Sequence, residues 1–175
     1  MLEYCVTGGT GFIASELVRA LLAEGHAVRA TVRDPADEAK VGFLRSFDGA
    51  KERLRLVKAD LVVEGSFDEA VDGADGVFHT ACPVYAPPGQ NIQEALIDPA
   101  IRGTANVLKS CSKASSVRRV VLTSTCAAVR CGDYQGENPH SMDTTKIEDL
   151  GMPPFKAIPQ MFDDFIKNLQ EKGFL

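Results

Sequence analysis

The residues whose spacing could do chemistry stand near the start of the chain. An apolar run, Tyr4 to Val6, breaks into Thr7-Gly8-Gly9-Thr10-Gly11-Phe12-Ile13-Ala14, after which Ile13, Leu17, Leu21 and Leu22 recur at helical spacing. Strand, glycine turn and helix in succession are the context a dinucleotide fingerprint requires. Gly8 can take a backbone angle that a side chain would forbid. Gly11 lets the main chain approach a pyrophosphate, and the small Ala14 lets helix and strand pack closely. The unpaired N–H groups and positive dipole end of the new helix would then face the phosphates. The alternative is a strand–turn–helix that holds no ligand.

Other residues fall where such a ligand would extend. A cofactor with a free 2′-hydroxyl wants an acid at the end of the second strand; here Val32 and Arg33 stand there, with Lys40 following. Arg33 could bond a 2′-phosphate in fork geometry and Lys40 could add a point charge, so the pattern favours NADP over NAD. Asp34, one residue past the usual acid, leaves open a solvated Arg33 paired with Asp34 or Asp37. Asp60 and Leu61 close the third strand, where Asp60 could accept from an adenine amino group and Leu61 could pack on the ring; an ordinary strand-end pair is the alternative. Thr80, Ala81 and Cys82 close the fourth strand and are small enough to admit a ribose. His79 beside them has no carboxylate partner in its apolar strand and reads as a core histidine. Thr123-Ser124-Thr125 closes the fifth strand with hydroxyls that could bond a substrate carbonyl. The proton donor expected to accompany them is a Tyr whose pKa a nearby Lys lowers. Of the tyrosines Tyr4, Tyr85 and Tyr134, only Tyr134 lies downstream, and four residues on stands Asn138, not Lys.

These residues need a scaffold. The pattern predicts a first helix over residues 11–24, a strand over 27–32, a helix over 39–47, a strand over 54–57, and a short helix opened by the capping pair Ser66 and Glu69. A fourth strand over 76–81, a proline-rich loop over 82–90, a long helix over 91–112 and a fifth strand over 117–123 follow. Leu96, Ile97, Ile101, Val107 and Leu108 are the expected apolar stripe of the long helix. Strands that are continuous rather than alternating in apolarity are buried on both faces, which implies a parallel sheet covered by helices. The expected fold is α/β, a Rossmann-like doubly wound sheet of strand order 3-2-1-4-5, with the glycine turn at its switch point. Residues 131–143 are polar and read as a linker; residues 160–172 form an amphipathic tail helix with Met161, Phe162, Phe165, Ile166 and Leu169 on one side.

Composition narrows the classes. The 175 residues are 45% apolar and 25% charged, with a net charge of −5, and suit a soluble, cytoplasmic globular protein without a basic footprint for nucleic acid or membrane. The first strand starts so near Met1 that no signal peptide is expected, and no apolar run reaches membrane-spanning length. Five cysteines lack metal-type spacing and read as free thiols; no metal site is expected.

Six motifs in order resemble the plant dihydroflavonol reductase and cinnamoyl-CoA reductase group of the extended short-chain dehydrogenase/reductases: residues 6–15, 31–35, 58–61, 76–81, 99–108 and 118–125. The resemblance implies NADPH-dependent reduction of a carbonyl or thioester carbonyl in a phenylpropanoid- or polyketide-like substrate. It places glycine-loop contacts on Gly8 to Ala14, 2′-phosphate contacts on Arg33 and Lys40, adenine contacts on Asp60 and Leu61, and ribose-side contacts on Thr80, Ala81 and Cys82. The catalytic serine position falls on Thr125, with Ser124 as its substitute. Residues 143–175 are similar to the extreme C-terminus of the same group, so the part between, with its Tyr-x-x-x-Lys pair and substrate domain, is missing. The implied organisation is a truncated NADP-binding domain over 1–130, a linker over 131–142 and a C-terminal remnant over 143–175. Such a chain is expected to be inactive alone, to bind NADP or to pair with a full-length relative, and to expose its fifth strand to self-association. A nucleotide-sugar epimerase or dehydratase relative is the remaining alternative.

Overall fold

The computed structural model describes residues 1–125 and, beyond them, Asp149, Gln160, Asp163, Ile166, Lys167 and Gln170. The chain divides into two compact units, Met1–Val129 and Arg130–Leu175. In the second unit all six described residues are helical and exposed. Five of them fall within the expected tail helix; its remaining residues, the linker, Tyr134, Cys126 and Cys131 lie outside the described residues.

The first unit is a five-stranded parallel sheet of order β3-β2-β1-β4-β5, as the sequence implied. The strands are β1 (Glu3–Val6), β2 (Ala27–Val32), β3 (Leu54–Lys58), β4 (Gly76–His79) and β5 (Arg119–Leu122). The helices are α1 (Phe12–Ala23), α2 (Glu38–Arg45), α3 (Ala50–Arg53), α4 (Asp68–Val71) and α5 (Asp98–Lys113). Helices connect each strand to the next, as parallel pairing requires, and the two faces fill separately. On one face Ala14, Val18 and Leu22 of α1 bury against Val6, Val28 and Ala30, with Val41 and Leu44 of α2 beside Val32. On the other, Phe67, Ala70 and Val71 around α4 and Val107 and Cys111 of α5 bury against Cys5, Val57 and Val77. Arg29 crosses between layers. It forks onto Glu3 at 2.7 and 3.1 Å, and its remaining nitrogen donates to the carbonyls of Glu69 and Asp72.

Four expectations fail, each for a local reason. Ser66 does not cap its helix, because its oxygen accepts the Asp60 N–H at 3.2 Å while its proton goes to the Asp60 carbonyl at 2.7 Å; α4 starts later, after Phe67, without a side-chain cap. The short helix α3 was not expected; it follows the turn at Asp48-Gly49. The long helix is not uniform, since residues Gln93–Ile97 form a π-turn before α5. Pro99 has no N–H and its ring crowds the carbonyl four residues back, so the chain widens there. The expected stripe of α5 is also wrong in detail: Val107 is buried, but Ile97, Ile101 and Leu108 are 43%, 62% and 48% exposed, and the buried face holds Gly103, Asn106, Ser110 and Cys111 instead. The reason is α5's place over the last strands of the sheet. β5 pairs with β4 alone among the described residues, and its Val121 and Leu122 are exposed.

Cys5 and Cys111, buried on one face, are free thiols, as is the exposed Cys82. Burial, reinforced by Cys111, pushes the Cys5 thiol up to about 12, so it stays protonated and inert at neutral pH. Alkylation of the folded protein at mildly alkaline pH, mapped by mass spectrometry, is expected to label Cys82 and to spare Cys5 until denaturant is added. Equal labelling of both before unfolding would contradict this packing.

Candidate dinucleotide site

The site is built where β1, β2 and β4 end side by side. Past Val6 the chain cannot continue as a strand, because Gly8 turns into the left-handed region at φ +72°. A Cβ there would sit 3.0 Å from the Ala81 side chain and 3.2 Å from its backbone, so only glycine lets β1 and the end of β4 approach this closely. Two bonds from β2 set the turn's other side: the Gly8 N–H donates to Thr31 Oγ1 at 3.2 Å and the Gly9 N–H to the Thr31 carbonyl at 2.8 Å. The Gly11 N–H closes the turn on the Gly8 carbonyl at 2.8 Å.

That leaves the start of α1 open. Gly11 at its N-cap offers no side-chain acceptor, and the first turn holds no acidic residue. The N–H groups of Phe12, Ile13 and Ala14 have no acceptor among the described residues. Such an end is a ready anion site. Ala14 itself is buried against the sheet, whereas Thr10, Phe12 and Ile13 are exposed.

Thr7 is the hub of the floor. Its hydroxyl lies 2.8 Å from His79 Nδ1 and accepts the N–H groups of Thr80 at 3.1 Å and Ala81 at 3.0 Å. The Thr80 hydroxyl in turn donates to the Thr7 carbonyl. These bonds end β4 at His79, two residues before the sequence suggested. His79 is buried and bonded, as its setting implied; its Nε2 faces the Thr104 hydroxyl of α5 at 3.3 Å. Thr123, past β5, donates from both its N–H and its hydroxyl to the His79 carbonyl, at 3.1 and 3.2 Å. Ser124 and Thr125 follow, both exposed at the same end of the sheet.

Arg33 emerges from β2 beside the turn, exposed, and no hydrogen bond or ion pair among the described residues engages it. The acids that could neutralise it are taken up elsewhere. Asp34 Oδ1 accepts the Ala36 N–H at 3.0 Å, and Asp37 pairs with Lys40 at 2.6 Å. That Lys40 hydrogen bond holds the Asp37 carboxyl below the usual carboxylate range. Arg33 is thus an open cation, whereas Lys40 is already paired. Asp60 turns the chain after β3, with Oδ1 accepting the Val62 N–H at 3.0 Å. Leu61 is directed at α5: a Cβ on Gly103 would lie 2.9 Å from Leu61 Cβ, and Asn106 donates to the Leu61 carbonyl at 2.8 Å. Cys82 is exposed, its thiol 3.5 Å from the Pro83 carbonyl. No group of three His, Cys, Asp or Glu that could hold a metal occurs among the described residues.

Sequence reasoning missed Thr7, Thr31 and Thr104 as organisers of this site. The available signal was a threonine at the C-terminal end of each of two buried strands, where a hydroxyl is costly unless bonded.

A model of the 3-beta hydroxysteroid dehydrogenase/isomerase family matches residues 5–168. The chain belongs to that family. Within it the chain is 62% identical over 131 residues to tetraketide alpha-pyrone reductase 2 of Arabidopsis thaliana, covering 74% of this chain and 41% of the relative. It is 59% identical over 144 residues to cinnamoyl-CoA reductase CAD2 of Medicago truncatula, covering 82% and 43%. Among solved structures it is similar to vestitone reductase from alfalfa, with a TM-score of 0.60 and 36% identity over 72% of this chain and 37% of that one. The NADPH complex of Gre2 from Candida albicans gives a TM-score of 0.65 and 32% identity over 73% and 38%. The chain therefore spans about two-fifths of the length of the relatives it matches. The resemblance to plant reductases of this family holds, as does the Rossmann-like fold.

The floor makes the family's turn sensitive to acid. Burial holds His79 below the ordinary histidine value of 6.5. The groups facing its ring are the hydroxyls of Thr7 from β1 and Thr104 from α5, neither charged, while β5 approaches only its carbonyl through Thr123. In the unfolded chain the imidazole takes a proton near 6.5; in the folded chain it takes one only at lower pH. The unfolded state thus binds more protons as pH drops, and stability present above 6.5 is lost as pH falls toward the folded value. Thermal melts should show wild-type stability declining from pH 6.5 downward, before the carboxylates titrate. His79→Asn should lack that part of the decline; identical slopes in the two proteins would exclude His79 as its source.

Proposed function

We propose that this chain is an NADP-binding member of the plant reductase lineage that does not reduce a carbonyl by itself. The observation that carries the cofactor choice is Arg33. Among the described residues it stands uncommitted beside the glycine turn while Asp34 and Asp37 hold other partners. An NAD site would instead place an acid there for the ribose hydroxyl. The pyrophosphate would take the unsatisfied N–H groups opening α1, and Arg33 would fork onto the 2′-phosphate. Thr80, Ala81 and Cys82 would line the ribose side, and Asp60 the adenine end. A bound NADPH supplies a hydride. Ser124 or Thr125, at the end of β5, is the residue proposed to orient a carbonyl oxygen.

The limit on turnover is chemical. No Tyr-x-x-x-Lys occurs in the sequence: four residues after Tyr4, Tyr85 and Tyr134 stand Gly8, Gly89 and Asn138. Loss of general acid catalysis alone removes roughly 10²–10⁴-fold. We read residues 1–130, 131–142 and 143–175 as a shortened cofactor domain, a junction and a C-terminal remnant; the coverage of about two-fifths of each relative supports that reading. By lineage the substrate class is a phenylpropanoid- or polyketide-like carbonyl or CoA thioester, and the setting is cytoplasmic. A second reading, pairing with a full-length relative or a second copy through β5, is favoured by the exposure of Val121 and Leu122 on that edge.

Calorimetric titration of the full chain tests the cofactor reading. NADPH should bind more tightly than NADH. Arg33→Ala should weaken NADPH by about 10–100-fold, the range of a charged hydrogen-bond pair, and leave NADH unchanged. Equal affinity for the two cofactors would sink the assignment of Arg33. The same protein, given NADPH and a cinnamoyl-CoA-type thioester, should show no consumption of NADPH absorbance above the uncatalysed rate. Turnover at a rate typical of enzymes would overturn the inactive reading.

A further inference from the structure

The bonds of the Thr7 hydroxyl can be counted. A threonine hydroxyl has one proton and two lone pairs. Here it meets three partners, and two of them, the N–H groups of Thr80 and Ala81, can only donate. Both lone pairs are then occupied, so the hydroxyl proton must go to the third partner, His79 Nδ1 at 2.8 Å. That nitrogen has to be unprotonated. A neutral imidazole with a bare Nδ1 carries its proton on Nε2, and Nε2 faces the Thr104 hydroxyl at 3.3 Å. Every member of the chain is satisfied in one proton arrangement only, within a floor where Thr7 and His79 are both fully enclosed.

We infer that His79 is a positioning residue of the glycine turn: its bare Nδ1 takes the Thr7 proton and so turns both lone pairs of that oxygen toward the end of β4. The consequence reaches Gly8. The Ala81 N–H is fixed by Thr7, and the Ala81 side chain is the wall that Gly8 packs against. An imidazole protonated on Nδ1 would place a donor against a hydroxyl already facing two donors. Thr7 would have to release Thr80 or Ala81, and the wall would loosen. His79 touches no phosphate site itself; it acts through Thr7. The link from turn to ligand rests on the NADP reading proposed above, whereas the proton arrangement does not.

The test separates the two. Long-range ¹H–¹⁵N correlation spectra of the full, ¹⁵N-labelled chain at neutral pH should show His79 with a pyridine-like Nδ1 and a protonated Nε2. The opposite tautomer, or a doubly protonated ring, overturns the proposal without any variant or cofactor. Amide exchange then reads the wall. His79→Asn puts an amide oxygen near the place of Nδ1, whereas His79→Leu fills the volume without an acceptor. Exchange at Thr80 and Ala81 should stay near wild type in His79→Asn and quicken by about tenfold in His79→Leu, the scale of one lost hydrogen bond. A role in packing alone predicts the reverse ranking and would refute the assignment. If His79→Leu does not fold, Thr7→Val, which removes only the hydroxyl, should quicken the same two amides. Where wild type binds NADPH, affinity should fall about tenfold in His79→Leu and be retained in His79→Asn, following the same lost bond. If wild type binds no NADPH, the function reading fails, and the tautomer and the exchange ranking still decide the role of His79.

Discussion

A hydroxyl buried where three strands end is what the site hangs on. Thr7 closes β1, its oxygen takes the first two amides beyond β4, and its proton goes to a histidine that also reaches α5. Without these bonds, the chain leaving β4 would carry two unpaired, half-buried amides, at a cost of up to about 1–3 kcal/mol each. With them, Ala81 is brought against Gly8, and the turn has a wall on one side and Thr31 of β2 on the other. Two strands therefore shape a loop that belongs to a third. That shape engages the Gly8 and Gly9 amides on Thr31 and the Gly11 amide on the Gly8 carbonyl, and leaves the next three without an acceptor among the described residues.

The charge pattern around the turn is selective in the same way. Asp34 and Asp37 lie within four residues of Arg33, and on distance along the chain either could have quenched it. Asp34 instead shapes its own loop through the Ala36 amide, and Asp37 is neutralised by Lys40 one helical turn on. Exposed pairs of that kind contribute little to stability. Their effect here is to leave the Arg33 guanidinium without a partner among the described residues.

The sheet is well covered at its centre and thinly at one side. β1, β2 and β4 sit between two filled faces. At β5 the cover runs out: Val120 packs on the α5 side, while Val121, Leu122 and the outer face of α5 meet solvent. The residues proposed to act on a substrate, Ser124 and Thr125, lie beyond that same strand. The glycine-turn end of the sheet is thus held by a complete core, and the end beside Ser124 and Thr125 by its least buried strand.

Much of this was legible in the linear chain. Apolar runs broken by Gly8, Gly25, Gly49 and Gly73 announce strands and helices in alternation, and continuous apolar strands announce a parallel sheet, because those signals depend on local propensity and on two-sided burial. The order 3-2-1-4-5 followed from crossover handedness, and the glycine turn and Arg33 were visible as motif and departure from motif. What the sequence could not contain was partner choice. Ser66 had a capping pattern and bonded Asp60 instead; Leu61 gained a neighbour in Gly103 that its strand-end position did not announce; Ile97, Ile101 and Leu108 had core periodicity and are exposed. Thr7, His79 and Thr104 are scattered across the chain, and only the closing of the sheet sets them in a line. Periodicity and turn chemistry are properties of neighbours in sequence, so the chain alone determined its elements and their order. Hydrogen-bond direction and burial depend on groups brought together from distant positions, so the folded structure alone decided which hydroxyl became the hub of the site.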